Sequence, residues 1–145
     1  MAKDHKVVQG LIRDIISLRV AIKQFYFQKV KELELDVTYE MVQVLAVLWR
    51  EKELNQQDIA EEVQKSKASV TPLIDNLCKR DLVQRVPDAN DRRNNKIVLT
   101  EKGWEYQSHL EPVQKELYEK IMKNSQIKDI SEISNQLRLI KSAIE

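Results

Sequence analysis

The spacing of apolar residues along the chain predicts a mainly helical protein. Over residues 6–32, apolar side chains recur every three or four positions, which is typical of one long amphipathic helix. Its stripe comprises Val8, Leu11, Ile12, Ile15, Leu18, Ile22 and Phe25. Thr38 suits the N-cap of a second helix, whose apolar face comprises Met41, Val44, Leu45, Leu48 and Trp49.

The middle of the chain carries the pattern of two short helices joined by a tight turn. Asn55 is predicted to cap a helix from residue 56 to about residue 63. Ser66 is predicted to cap the next helix, at about 67–80, with an inner stripe of Val70, Leu73, Ile74 and Leu77. This arrangement is a helix-turn-helix, in which the second helix is the one laid in a DNA groove.

A β-hairpin is predicted directly after this helix pair. A short strand from residue 81 stops at Pro87, Asp88-Ala89-Asn90-Asp91 has the composition of a turn, and residues 96–100 return as the second strand. We call residues 87–97 the wing. A helix-turn-helix followed by a basic hairpin predicts a winged helix, so the expected fold is mainly α with a small β-hairpin wing.

The last third of the chain is predicted to form helices that seek a partner. A fifth helix runs from about residue 100 to 124, and Pro112 is expected to kink or split it. Apolar residues of the final segment then follow a heptad pattern, Ile130, Ile133, Leu137, Ile140 and Ile144, which is typical of helices that pair. We therefore expect one domain, 1–145, with a winged helix at about 38–100 and dimerisation helices at about 6–32 and 101–145. The residues expected at the homodimer interface are Leu11, Ile15, Ile133, Leu137 and Ile140.

Charge is nearly balanced over the whole chain but not around the hairpin. The formal net charge is +1, whereas residues 64–96 contain eight basic and four acidic residues, a local balance of +4. The outer face of helix 67–80 is small or polar, with Ala68, Thr71, Pro72, Asp75, Asn76 and Lys79. A basic patch beside a helix face without large apolar groups suits contact with DNA phosphates and base edges.

These motifs resemble those of the multiple antibiotic resistance regulator (MarR) family of winged-helix transcription factors. Residues 66–77, Ser-Lys-Ala-Ser-Val-Thr-Pro-Leu-Ile-Asp-Asn-Leu, are similar to the family's recognition helix. Asp91-Arg92-Arg93, followed by Val98-Leu99-Thr100-Glu101-Lys102-Gly103, is similar to its wing and the return from it. The resemblance covers nearly the whole chain and implies a homodimeric, cytoplasmic transcription regulator, expected to be a repressor that recognises a palindromic operator in double-stranded DNA.

The resemblance also implies roles for individual residues. Arg93 corresponds to the arginine at the wing tip that enters a minor groove, and Asp91 would orient it through an ion pair. An arginine presented by a tight turn suits a narrow groove of enhanced negative potential; the alternative is two solvated charges in an exposed loop. The residues expected to contact DNA are Ser66, Lys67, Ser69, Thr71, Asn76, Asp91, Arg92 and Arg93.

Two features of the sequence bear on regulation: the Thr71-Pro72-Leu73 run and the cysteine Cys78. Thr71-Pro72-Leu73 is similar to the branch of the family that senses organic hydroperoxides, but this chain lacks that branch's cysteine near the start of the first helix. Its one cysteine, Cys78, is expected to be a half-buried filler residue. The alternative is a thiol switch, for which neighbouring Lys79 and Arg80 would have to lower the thiol pKa.

An effector is a further expectation, and several other classes of function find no support. Tyr26, Tyr39 and Trp49, with Trp104, could line a pocket for a small aromatic or phenolic effector, or could simply be core residues. No cofactor and no metal site is expected, because His5 and His109, with Glu105, fall short of a ligand set. The sequence contains no nucleophile–base pair that would indicate an enzyme. It also contains no run of 18 apolar residues that would indicate a membrane span. The remaining alternative is a helical dimer that acts as a protein-interaction module.

Overall fold

A computed structural model of the protein describes residues 1–91 and 93–145; Arg92 lies outside the described residues. The elements, in chain order, are α1 (Ala2–Glu32), α2 (Tyr39–Glu51), β1 (Glu53–Asn55), α3 (Gln56–Glu62), α4 (Lys67–Lys79), β2 (Val83–Pro87), β3 (Asn95–Leu99), α5 (Glu101–Asn124) and α6 (Ile130–Ile144). They form two compact units, Met1–Val113 and Gln114–Glu145. The prediction of a mainly helical winged helix is confirmed.

The starts of the middle helices are set by polar side chains that cap them. Thr38 Oγ1 accepts from the Met41 amide at 3.3 Å, and Asn55 Oδ1 accepts from the Asp58 amide at 2.8 Å. Ser66 Oγ accepts from the Ser69 amide at 3.1 Å. Each bond satisfies a backbone N–H that has no partner within its helix. The three predicted caps are therefore confirmed.

The sheet has one strand more than the hairpin that the sequence predicts. It is antiparallel with the order β1-β3-β2, so β3 is central. Leu54 pairs with Ile97 in β1–β3, and Arg85 pairs with Ile97 in β2–β3. β1 was missed because three residues are too few to display the alternating pattern of a strand. Its pairing with β3 anchors the wing to the helices.

The core of the first unit lies between α2, α3, α4 and the sheet. Its fully buried side chains include Leu45, Leu48, Ile59, Ile74, Leu77, Leu82 and Ile97. The inner stripe predicted for α4 is buried at Val70, Ile74 and Leu77, while Leu73 is half-buried. The opposite face of α4 is thereby left at the surface.

The start of α5 packs closely against the segment between α4 and β2. A Cβ added at Gly103 would lie 2.1 Å from the carbonyl oxygen of Leu82, so only glycine fits there. The Trp49 indole donates to the Gly103 carbonyl at 3.0 Å, and the Thr100 amide donates to Leu82 O at 3.1 Å. These contacts join α2, α5 and the entry to β2.

Some predicted boundaries were wrong. α1 starts at Ala2 rather than at residue 6, since the charged residues before the apolar stripe are also good helix formers. β2 begins at Val83 and includes Pro87, which lies at the sheet's outer strand, where a missing donor is tolerated. Pro112 was expected to kink or split α5; the helix is not split at Pro112, and the kink stays a prediction.

Five helices are followed by a residue with a positive φ that is not glycine. Glu34, Lys52, Gln64, Asp81 and Gln126 have φ between 56° and 70°, and each follows the end of one of α1–α5. At three of these ends, the next backbone amide donates back into the helix: Leu35 N to Val30 O at 3.1 Å, Lys65 N to Ala60 O at 2.9 Å and Leu82 N to Leu77 O at 3.0 Å. A bond from an amide to the carbonyl five residues earlier closes the helix end in the Schellman motif.

Both ends of the chain expose large apolar side chains. In α1, Leu11, Ile12 and Ile15 are 39%, 52% and 37% exposed, and burial begins only towards Tyr26. In α6, no residue is buried, and Ile133 and Leu137 are 41% and 42% exposed. Among the described residues, no helix is long and apolar enough to cross a membrane, and no cluster of three or more His, Cys, Asp or Glu could hold a metal ion.

Candidate nucleic-acid interface

The first turn of α4 presents short polar side chains at the surface. Ser66 and Ser69 are exposed, and the Ser66 hydroxyl, besides capping the helix, donates to Ser69 Oγ at 2.9 Å. Lys67 lies between them and is also exposed. Because a hydroxyl has two acceptor positions and one donor, the Ser69 hydroxyl keeps capacity for a further hydrogen bond at this surface.

Two other residues that were predicted to contact DNA are bonded within the protein. The Thr71 hydroxyl donates to the Lys67 carbonyl at 3.0 Å and accepts a hydrogen bond from the Gln56 side chain. Asn76 Nδ2 donates to the Pro72 carbonyl at 2.9 Å, and Arg80 donates to Asn76 Oδ1 at 3.4 Å. Thr71 and Asn76 are half-buried, so contact with a base would require exchange of these bonds.

The wing turn is held by the Asp91 carboxylate. Its Oδ1 accepts from the Arg93 backbone amide at 2.9 Å, and its Oδ2 accepts from the Asn94 side chain at 3.0 Å. The predicted ion pair with the Arg93 guanidinium was wrong, because an aspartate two residues upstream reaches the backbone N–H more readily. Arg93 is exposed, and its guanidinium has no acidic partner among the described residues. The prediction for Arg92 falls outside the described part of the chain.

A cavity of about 170 Å³ lies between the start of α4 and the wing. Its lining contains three cationic side chains and five amides, with no carboxylate: Asn55, Gln56, Gln57, Lys67, Arg85, Arg93, Asn94, Asn95 and Ile97. The structure therefore brings together two predicted residues, Lys67 and Arg93, although 26 positions separate them in the sequence. Gln56 and Arg85 were not predicted as site residues.

Arg85 links the sheet to the outer face of α4. Its Nη2 donates to Asp75 Oδ1 at 2.6 Å, and its Nη1 lies 3.7 Å from Cys78 Sγ. Both side chains of the ion pair remain partly exposed, at 32% for Arg85 and 49% for Asp75. The charge count of this region included both residues, but only the fold of β2 against α4 shows that they meet.

The environment of Cys78 does not favour a reactive thiolate. Burial raises the pKa of the thiol above its ordinary value, the nearby Arg85 lowers it and Asp75 raises it, with a net increase. The cation beside the sulfur is Arg85 rather than Lys79 or Arg80, so the support expected from those two neighbours was wrong. A raised pKa keeps the thiol protonated near neutral pH, and the protonated form is the unreactive one.

Two of the three predicted effector residues lie together, and the third lies elsewhere. The rings of Tyr26 and Tyr39 are 5.3 Å apart, and Tyr26 is buried. Tyr39 also borders a largely apolar cavity of about 230 Å³, lined by Lys23, Phe27, Val37, Thr38, Tyr39 and Glu40. Trp49 is not part of this lining, and its indole is bonded to Gly103. Burial raises the pKa of Tyr39, so its hydroxyl is neutral near pH 7.

Comparison with known proteins places these motifs in a family context. A family model described as the MarR family matches residues 37–94. The HTH-type transcriptional regulator SarZ of Staphylococcus aureus (strain USA300) is 32% identical over 105 residues, which are 72% of this chain and 70% of that protein. SarZ of strain MRSA252 is 32% identical over 103 residues, 71% of this chain and 68% of its own.

Solved structures with the same fold include proteins bound to DNA. The structure of reduced AbfR bound to DNA has a TM-score of 0.80 at 23% identity and covers 99% of this chain and 98% of its own. A mutant of MarR from E. coli complexed with operator DNA has a TM-score of 0.76 at 20% identity, with 94% of each chain covered. At 20–23% sequence identity, the likeness to these structures shows a shared fold only.

Proposed function

Because this chain belongs to the MarR family of DNA-binding transcription regulators, we propose that it binds double-stranded DNA as a homodimer and represses transcription at a palindromic operator. Its family and its curated relatives are transcription regulators rather than enzymes. The observation that carries the proposal is the cation-lined surface shared by the start of α4 and the wing, where Lys67, Arg85 and Arg93 meet without a carboxylate in the lining. We assign the protein to the cytoplasm, where its DNA target would be.

The two parts of this surface are assigned different roles. α4 lies in the major groove, where the small polar groups of Ser66 and Ser69 are short enough to approach base edges. The wing enters the minor groove with Arg93, whose guanidinium is exposed and has no acidic partner among the described residues. Contacts of the first kind discriminate sequences, whereas contacts of the second kind mainly add affinity.

The homodimer is supported by the exposed apolar faces at both chain ends. The α1 face contains Leu11 and Ile15, and the α6 face contains Ile133 and Leu137; each of these side chains is more than a third exposed. Contiguous apolar surface of this kind is typical of an interface, and a two-fold dimer would cover each face with its equivalents. Two recognition helices would then contact half-sites on the order of 10 base pairs apart.

The proposed regulator is released from DNA by a small aromatic or phenolic effector. This release is supported by the apolar cavity beside Tyr39, which has the Lys23–Glu40 ion pair at 2.7 Å in its lining. Phenol and 4-hydroxybenzoate are suitable probes. Either compound should shift the NMR signals of Tyr39 in the wild type and lower its affinity for the operator. In Tyr39→Ala, the same compound should lower operator affinity less. Probes that leave both unchanged would remove this cavity as an effector site.

DNA binding is tested by titrating operator and random duplexes at several salt concentrations. The operator is first selected from a random-sequence pool by the wild-type protein. Arg93→Ala should weaken binding to both duplexes and lower the salt slope by about one unit. Ser69→Ala should mainly reduce the difference in affinity between the operator and the random duplex, since a lost base contact costs roughly 1–3 kcal/mol. Lys128→Ala, outside the winged helix, is the matched charge control.

The outcome also separates the alternative function. A protein-interaction module would retain the fold but would bind duplex DNA without the steep salt dependence that phosphate neutralisation produces. Unchanged binding in Arg93→Ala would remove the wing from the DNA interface. Selected fragments that contain only single, non-repeated sites would contradict recognition by a dimer.

A further inference from the structure

We propose that the cavity between α4 and the wing holds one phosphate of the DNA backbone, and that Asp75 restrains this contact by pairing with Arg85. We call the cavity the phosphate seat and define it by Gln56, Lys67, Arg85 and Arg93. The inference rests on the proposed DNA binding and adds to it a specific ligand group, two residues that the sequence analysis did not assign, and a residue that opposes binding.

The chemistry of the seat favours a phosphate oxyanion. Three cationic side chains line it, and every other polar side chain of the lining is an amide that can donate hydrogen bonds. Arginine presents several donors in a plane that matches two phosphate oxygens, and such charge-assisted bonds are stronger than neutral ones. No carboxylate of the lining would repel the anion.

The position of the seat suits a phosphate of bound DNA. Lys67 belongs to the first turn of α4, Arg85 to β2 and Arg93 to the wing, so the seat lies between the two elements assigned to adjacent grooves. A strand of the DNA backbone separates a major groove from the neighbouring minor groove. The cavity, at about 170 Å³, has room for several ordered waters or for one tetrahedral anion in their place.

Asp75 reduces the attraction between Arg85 and the phosphate, because its carboxylate partly neutralises the Arg85 charge. Its carboxylate lies outside the lining but holds Arg85 at 2.6 Å, while a second guanidinium nitrogen lies 3.7 Å from Cys78. Both members of the pair are partly exposed, and ion pairs at such positions are weak enough to exchange partners readily. Asp75 is thus a positioning residue: it fixes Arg85 beside the seat and partly neutralises it.

The seat is tested by coupling a protein substitution to a change in one phosphate. Each phosphate of the selected operator is replaced in turn by a neutral methylphosphonate, and affinity is measured for the wild type and for Arg85→Gln. The wild type should lose about tenfold at one phosphate in each half-site. Arg85→Gln should bind the unmodified duplex more weakly but show little further loss at that phosphate. Equal losses for both proteins at every phosphate would overturn the proposal.

The role of Asp75 is tested with a matched acid. Asp75→Asn should raise affinity for operator and random DNA by about threefold, whereas the double variant Asp75→Asn/Arg85→Gln should match Arg85→Gln. Asp81→Asn removes the same charge just after the end of α4 and should have the smaller effect, because the carboxylate that pairs with Arg85 is that of Asp75. Equal effects of Asp75→Asn and Asp81→Asn, or a gain that persists without Arg85, would reject the restraint. Circular dichroism of each variant confirms that the fold is retained.

A final arm identifies the source of the phosphate. Inorganic phosphate, added to DNA-free protein and followed by NMR, should bind only weakly and compete with operator only at high concentration. Saturation at low concentration would assign the seat to a free anion and overturn the DNA assignment. A wild-type protein that shows no salt-dependent DNA binding would fail before any variant is made, so failure of the proposed function is distinguishable from failure of the seat.

Discussion

Polar side chains at the proposed DNA surface differ in how far they are already committed within the protein. Ser69 and Arg93 are exposed, whereas Thr71 is bonded to Gln56 and to the Lys67 carbonyl. Asp91 is committed to the backbone of the wing turn. At the scale of single residues, exposure and existing partners therefore decide which side chains can contact DNA directly and which can only position others.

Asp91 gives the sharpest test at this scale. Asp91→Asn keeps an oxygen that can accept from the Arg93 amide, although the charge is lost. We therefore expect Asp91→Asn to bind operator nearly as the wild type does, and Asp91→Ala to bind more weakly because the turn loosens. An ion-pair role would instead make the two variants equally weak. Operator titrations with both proteins distinguish the two roles.

Cys78 is expected to react slowly with alkylating reagents at neutral pH. Its pKa is raised above the ordinary thiol value, chiefly by burial, so the thiolate fraction is small at pH 7 and rises only in alkaline solution. The rate of iodoacetamide modification against pH, with glutathione as reference, measures this. Arg85→Gln should slow the reaction further, since the guanidinium favours the thiolate. A rate at pH 7 above that of glutathione would contradict the assignment.

At the scale of elements, the sequence predicted what is encoded locally. Helix starts at Thr38, Asn55 and Ser66 were recognised because a capping side chain acts within three residues. β1 was missed because three residues carry no periodic signal, and its pairing partner lies more than 40 residues away. The start of α1 was placed too late because charged residues can continue a helix without contributing to its apolar stripe.

The candidate site was predictable to the same extent. Ser66, Lys67 and Arg93 were named from motifs that lie within single elements. The meeting of Arg85 with Asp75 depends on how β2 packs against α4, and no spacing rule along the chain encodes it. The same reason explains Gln56, whose contact with Thr71 joins two helices.

The close approach of α5 to the segment between α4 and β2 yields a prediction for the two glycines. Gly103→Ala should lower the free energy of unfolding by about 1–3 kcal/mol, because its Cβ would collide with the Leu82 carbonyl. Gly10→Ala is the matched control: nothing lies within 4 Å of its Cβ, and alanine in a helix stabilises by roughly 0.5–1 kcal/mol. Denaturant unfolding of both variants measures the difference. Equal stability of Gly103→Ala and the wild type would contradict the close packing.

At the scale of the whole molecule, α1 and α6 each have an apolar face that the single chain leaves exposed. The first 21 residues contain no buried side chain, and none is buried in α6. The proposed dimer would cover these two apolar faces. The dimer proposal follows from this exposure.

Leu137→Asp tests the proposed interface against Leu139→Asp. Leu137 belongs to the heptad pattern of α6, whereas Leu139 is exposed to 64% and lies off that pattern. Leu137→Asp should shift the protein to a monomer or prevent folding, since a buried unpaired charge is costly; Leu139→Asp should remain a dimer. Sedimentation velocity, with circular dichroism as the check on folding, measures both. A folded dimer of Leu137→Asp would contradict the interface.

The scarcity of glycine shifts where this protein bears the cost of folding. With two glycines in 145 residues, the unfolded chain has fewer backbone conformations to lose than a glycine-rich chain of the same length. The counterpart is that Glu34, Lys52, Gln64, Asp81 and Gln126 adopt a positive φ with full side chains, which strains the backbone locally. Compared with a glycine-rich chain, this chain loses less backbone entropy on folding but carries backbone strain at five helix ends. These positions are where the stability of the protein can be adjusted by single substitutions without altering its core.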